Sequence, residues 1–112
     1  MIVDRFAQCL TAIEYPKKKT SWNIAGILKD KNAFYKFDVR ETFKLPDGNF
    51  AQTGKTNTKA DKMVFESKDK WTIIDIEELH KHIKKTKLKK FYLTELIAEL
   101  EWTICINKTH LH

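Results

Sequence analysis

From residue 34 the chain reads "FYKFDVRETFKLPDGNFAQTGK", and this stretch restricts the fold more than any other. Tyr35, Phe37, Val39 and Phe43 fall on one side of a two-residue period. Lys36, Asp38, Arg40 and Thr42 fall on the other. Successive side chains of a strand point to opposite faces, so the pattern predicts a strand with one apolar and one charged face. Such a strand suits an antiparallel sheet with one side in water. "LPDGN" predicts a tight turn, in which Pro46 presets φ, Asp47 tolerates the tight conformation and Gly48 closes it. "NFAQTGKT" then returns as a third strand or an extended arm.

The flanking segments supply the rest of the layer. Residues 2–14 place Ile2, Phe6, Leu10 and Ile13 three or four apart, which predicts a helix with one apolar face. Pro16 ends it, and Lys17, Lys18 and Lys19 follow in a loop. Residues 20–28 read as a strand with Trp22, Ile24 and Leu28 on one face. The polar residues 54–62 read as a loop. "MVFES" and "KWTIID" read as two strands joined at "SKDK". Asp75 and Glu78 have capping-box spacing, and the acidic "DIEE" gives way to a basic end, so a helix is expected from Asp75. Its buried stripe is Ile76, Leu79 and Ile83, with Leu88 at or past its end. Thr94 caps a short helix "ELIAEL", "WTICIN" closes the sheet, and residues 108–112 form a mobile tail. The expected fold is α+β, a single domain over 1–112. It has a largely antiparallel sheet of about five strands, an N-terminal helix and one or two C-terminal helices.

Little in the residues points to catalysis. There are three glycines in the chain, and "GKT" lacks the first glycine of a phosphate loop, where Asn49 stands. His80 and His82 are two apart on a helix and point in different directions. His110 and His112 sit at the end of the chain, and all four histidines read as solvated. Cys9 and Cys105 lie among apolar residues, far apart, with no metal-ligand spacing. They read as buried reduced thiols, with a terminus-to-terminus disulfide as the alternative. No stretch approaches the roughly 20 apolar residues of a membrane span, and no secretory signal is visible. The expectation is a binding protein without catalytic activity, cofactor, metal or membrane association, in an intracellular setting.

Charge is the strongest functional signal. The 112 residues carry 21 Lys and Arg against 15 Asp and Glu, a net +6, which favours polyanions. One cluster is Lys17, Lys18 and Lys19, flanked by Tyr15 and Trp22. The other is Lys81, Lys84, Lys85, Lys87, Lys89 and Lys90, ended by Phe91 and Tyr92. Cations that track phosphates beside rings that stack on bases are the chemistry of single-strand binding.

Residues 37–55, "FDVRETFKLPDGNFAQTGK", resemble the second and third strands of the positive cofactor four family of transcriptional coactivators, which bind single-stranded DNA. The family runs a strand of the type aliphatic-Asp-aliphatic-Arg-Glu-aromatic-Trp, a Pro-acid-Gly turn and a basic strand with Gly and Lys. Phe37 to Phe43, then Pro46, Asp47 and Gly48, then Gly54 and Lys55, fill that pattern. Phe43 stands where the family has Trp, and Ala51 where it has a lysine. The resemblance implies that Arg40 and Lys55 contact phosphates, that Phe43 stacks on a base, and that a helix after the sheet builds a homodimer. In the alternation, however, Phe43 falls on the apolar side.

The expected function is therefore nucleic-acid binding, most of all to a single strand of DNA or RNA with little sequence specificity. The expected contacts are Lys36, Arg40, Phe43, Lys55, Lys17, Lys18, Lys19, Trp22, Lys81, Lys84, Lys85 and Lys87. The rival expectation is a small protein-binding module, an inhibitor or adaptor of a phage or mobile element, whose basic surface grips an acidic partner.

Overall fold

The computed structural model describes residues 1–29, 31–46, 48–52, 58–88 and 90–108, with the backbone alone for 43–45, 49, 50 and 52. In chain order the elements are α1 (Ile2–Ala7), β1 (Leu10–Glu14), β2 (Ile24–Leu28), β3 (Phe34–Glu41), β4 (Phe43–Leu45) and β5 (Gly48–Gln52). They continue with β6 (Lys62–Glu66), β7 (Lys70–Asp75), α2 (Ile76–Thr86), β8 (Lys90–Tyr92), α3 (Leu93–Glu99) and β9 (Thr103–Asn107).

Six strands form the main sheet in the order β1-β2-β3-β6-β7-β9. Every pair is antiparallel except β3 with β6. A parallel neighbour requires a crossover. Here the β4–β5 hairpin lies within that crossover and joins β8 in a small second sheet. The expected α+β class and the mainly antiparallel sheet are therefore observed, with more strands than expected.

The two faces of the sheet differ. On one face Phe6 meets Phe37 and Trp71 edge-on, with ring centroids 5.1 and 5.2 Å apart, among Leu10, Ile24, Leu28, Val39, Val64 and Ile73. On the other face Met63, Phe65 and Ile74 pack under Ile76, Leu79, Phe91, Leu93 and Leu96 from α2, β8 and α3. The central strands β6 and β7 are thus covered on both sides, and for that reason "MVF" is a continuous apolar run and "WTII" is one but for the buried Thr72.

The sheet curls strongly. β3 and β9 are three strand spacings apart, about 14 Å in a flat sheet. Yet the Tyr35 and Trp102 rings lie 5.9 Å apart. The Lys62 ammonium sits between them, 3.7 Å from the Trp102 ring centroid and 4.7 Å from that of Tyr35. Its third partner is Asp75 Oδ1 at 2.8 Å. A cleft of about 330 Å³ opens beside this junction, between Leu28, Tyr35, Trp102 and Ile104.

Several local expectations need correction. The N-terminal helix ends at Ala7, not Glu14, and residues 10–14 pair with β2 as an edge strand. Backbone groups of β2 gain partners this way, and Leu10 still reaches the core, a better outcome than a lone amphipathic helix. The second strand begins at Ile24, which leaves Trp22 outside it. The strand after it stops at Glu41, so Phe43 belongs to the hairpin and not to the apolar row of β3. Asp75 does cap α2, accepting from Glu78 N at 3.1 Å. Glu78 does not return the bond; it accepts from Glu101 N and Trp102 N, both at 2.9 Å. α3 starts at Leu93 with Tyr92 at its N-cap, so Thr94 is inside the helix. Lys108, expected in a mobile tail, is held by Glu66 at 2.9 Å and lies over the Trp71 ring. Residues 109–112 lie outside the described residues, as do Gly54 and Lys55.

The edge strand β1 carries a bulge between Thr11 and Glu14, with Ala12 in the left-handed region at φ 53°. Gly26 faces it. A Cβ added there would stand 2.9 Å from the Thr11 carbonyl oxygen and 3.2 Å from Leu10 Cβ. Because the obstacle is backbone, Gly26→Ala is expected to lower stability by about 1 to 3 kcal/mol, read as a lower urea midpoint with unchanged slope.

Candidate nucleic-acid interface

Two basic regions emerge. The first is the end of α2. Lys84 and Lys85 lie three and four residues after Lys81, so each neighbours it on the helix surface. Lys87 follows as the C-cap in a left-handed conformation, φ 61° and ψ 21°, with its N–H donating to the Ile83 carbonyl. Positive charge here suits the helix dipole. Lys81, Lys84, Lys85, Lys87 and Lys90 are all exposed, and none is in an ion pair among the described residues. Lys81 and Lys85 line a depression of about 240 Å³ that also holds Glu78, Glu99 and Glu101, so acid tempers that side. Lys84, Lys87 and Lys90 do not line it. Phe91, expected beside the cluster as a stacking ring, is buried in the core. Lys89 lies outside the described residues.

The second region lies around the exposed positions of β3 and the segments packed beside them. Strand alternation puts Phe34, Lys36, Asp38 and Arg40 on one face of β3, opposite the Phe37–Val39 core row. Lys36 Nζ lies 5.4 Å from the centroid of the Trp22 ring. The loop bearing Lys17, Lys18 and Lys19, all exposed, leads into Trp22. Ser21 Oγ accepts from Lys59 N at 2.6 Å, which ties residues 58–61 to that loop and adds a lysine that the sequence alone did not single out. Asp61 clamps the β3 backbone by accepting from Lys36 N at 2.9 Å.

Arg40 has a different setting from the one the resemblance implies. Its guanidinium makes a two-pronged contact with Asp38, Nε to Oδ1 at 3.1 Å and Nη2 to Oδ2 at 2.9 Å. Asp38 itself is buried. Charge-assisted pairs of this geometry are strong, so Arg40 is largely committed before any phosphate arrives. The Phe43 side chain and all of Lys55 fall outside what is described, so the geometry bears on neither.

A third ionic group is structural. Glu66 accepts from Arg5 Nε at 2.9 Å and Nη2 at 2.8 Å, and from Lys108. These bonds, that of Arg5 first, hold its carboxyl below the ordinary 4.5 despite burial. For Asp75, burial pushes the carboxyl up, but the bonds from Lys62 and the α2 N-terminus outweigh it and the net shift is downward.

His82 Nε2 lies 3.0 Å from Glu95 Oε2 and its ring sits over Phe91, so this histidine joins α2 to α3 and is not solvated as expected. No group of three metal-ligating side chains occurs among the described residues. No helix among them is long and apolar enough to cross a membrane. Both cysteines are free thiols, Cys9 buried and Cys105 exposed on β9, which corrects the expectation that both are buried. Burial raises the Cys9 thiol to about 11.

The chain matches no family model, no curated protein and no solved structure.

Two outcomes follow from these groups. Because the folded pKa of Glu66 is depressed, its contribution is present above the ordinary 4.5 and is lost as pH falls through the lower folded value. Arg5→Ala is therefore expected to lower the melting temperature at neutral pH and to bring the two proteins together in acid, once Glu66 is protonated in the folded state as well, as thermal unfolding across pH would record. Iodoacetamide on the native protein is expected to label Cys105 alone, with Cys9 reacting only after denaturation, as intact-mass measurement would show.

Proposed function

We propose that this chain binds nucleic acid, single strands in preference to duplex, with little sequence specificity and no cofactor. The observation that carries the reading is the set of exposed lysines at the end of α2, none of them neutralised by an ion pair among the described residues. A structural role for a lysine face would pair it with carboxylates or lay it against the core. Here the ammonium groups stand in water, where they serve as phosphate contacts by releasing counterions from a polyanion. The basic loop at Lys17, Lys18 and Lys19, with Lys36 over Trp22, adds cations next to a ring. The resemblance of residues 37–55 to positive cofactor four supports the choice of a single strand, although Arg40 is already held by Asp38.

The test is a fluorescence-anisotropy titration with single-stranded and duplex oligonucleotides at two salt concentrations. Lys84→Ala with Lys87→Ala is expected to weaken binding to every sequence alike. On a single strand it is expected to reduce the slope of log affinity against log salt by about 1.4, two phosphates at about 0.7 each. Absence of binding to any oligonucleotide at low salt sinks the reading and leaves an acidic protein as the partner for this surface.

A further inference from the structure

Two rings near Lys36, one on β3 and one in the segment before β2, lie outside both apolar cores. Phe34 opens β3 and is 45% exposed, whereas Tyr35 and Phe37, on the other face of the strand, pack toward the core. Trp22 is half-buried, and neither ring is among the residues of the two core clusters. A single exposed ring calls for no explanation. This arrangement is more than that. Lys36 is two residues from Phe34 on the same face, about 7 Å along the strand. Its ammonium reaches to within 5.4 Å of the Trp22 ring centroid. The order across the face is therefore ring, cation, ring, with the Lys17–Lys19 loop leading into the second ring.

We propose that Phe34 and Trp22 are base-stacking platforms and that Lys36 between them holds a phosphate of the same strand. The inference rests on the nucleic-acid reading above and adds where the bases sit. Stacking tolerates any base, because every base has a flat face, which accounts for weak sequence preference. It also requires bases that are free of a partner strand, which accounts for single-strand preference. In the free protein the Lys36 ammonium occupies space above the Trp22 ring. An exposed cation–ring contact is weak, so the flexible side chain yields that face to a base and turns to the backbone of the strand. Ile27 stands opposite Phe34 in the register and lends the ring an apolar neighbour.

The experiment compares the full-length protein with Phe34→Ala, Phe34→Leu and Phe34→Tyr, using a single-stranded oligo-dT and a duplex of equal length. Phe34→Ala is expected to bind oligo-dT about five- to a hundredfold more weakly, with little change in salt slope. Its duplex affinity and melting temperature should match the wild type. Phe34→Leu keeps apolar bulk without the ring, so it should bind as weakly as Phe34→Ala, which removes any ambiguity from altered folding. Phe34→Tyr should restore affinity. Wild-type affinity in Phe34→Leu, or a wild type that prefers duplex, overturns the platform. If the lysine variants at 84 and 87 still weaken binding in that case, nucleic-acid binding stands and only the stacking site falls. A wild type that binds neither oligonucleotide removes both.

Discussion

The curl of the sheet turns on one buried cation. Lys62 has a side chain only 8% exposed, and a lone ammonium in such a place carries a large desolvation cost. Here it is enclosed by a carboxylate and two rings that come from three different places, Asp75 at the end of β7, Tyr35 on β3 and Trp102 before β9, while the lysine itself is on β6. Asp75 is also the residue that caps α2, and Glu78 one turn later receives the N–H groups of Glu101 and Trp102. The ammonium, the start of α2 and the entry to β9 are therefore one connected polar unit. The curl brings distant strands together, and the unit gives that closure a defined geometry that apolar contact alone would leave loose.

The elements that the sequence announces best are those with a single strong period or a strong terminus. β6 and β7 are short apolar runs between polar turns, and α2 has an acidic start, a capping Asp75 and an Ile76–Leu79–Ile83 stripe. The N-terminal segment is where pattern and outcome part. Phe6, Leu10 and Ile13 satisfy a helical period, but Leu10 to Glu14 gains more from hydrogen bonding along β2, and Ile13 ends up exposed. A one-dimensional pattern carries no information about a neighbour sixteen residues away. β8 is hidden for the same reason: three residues, "KFY", become a strand only because β5 lies alongside.

The candidate interface was legible in part. Alternation along β3 correctly assigns its charged face, and the same alternation places Asp38 beside Arg40, two residues apart on that face. Their mutual neutralisation was thus available from spacing but was masked by the resemblance, which assigns Arg40 to a phosphate. Phe34 likewise follows from parity, since it shares the side of Lys36; an aromatic at a strand's first position is easily read as part of the loop. The Lys59 contribution was not legible, because it depends on a hydrogen bond to Ser21, thirty-eight residues away in the chain.

The irregularity in β1 has a bearing on how copies of this chain coexist. A sheet that does not close has two outer strands whose spare N–H and C=O groups invite another strand to join them. At one border of this sheet the bulge between Thr11 and Glu14, with Ala12 turned to a left-handed φ of 53°, interrupts the straight run that a joining strand would need. The same border exposes Ile13 and, just beyond it, Tyr15, apolar groups that would otherwise reward such joining. The kink thus acts against aggregation: it lets a basic, aromatic-rich face stay open to water without recruiting β1 of a second molecule into an extended sheet.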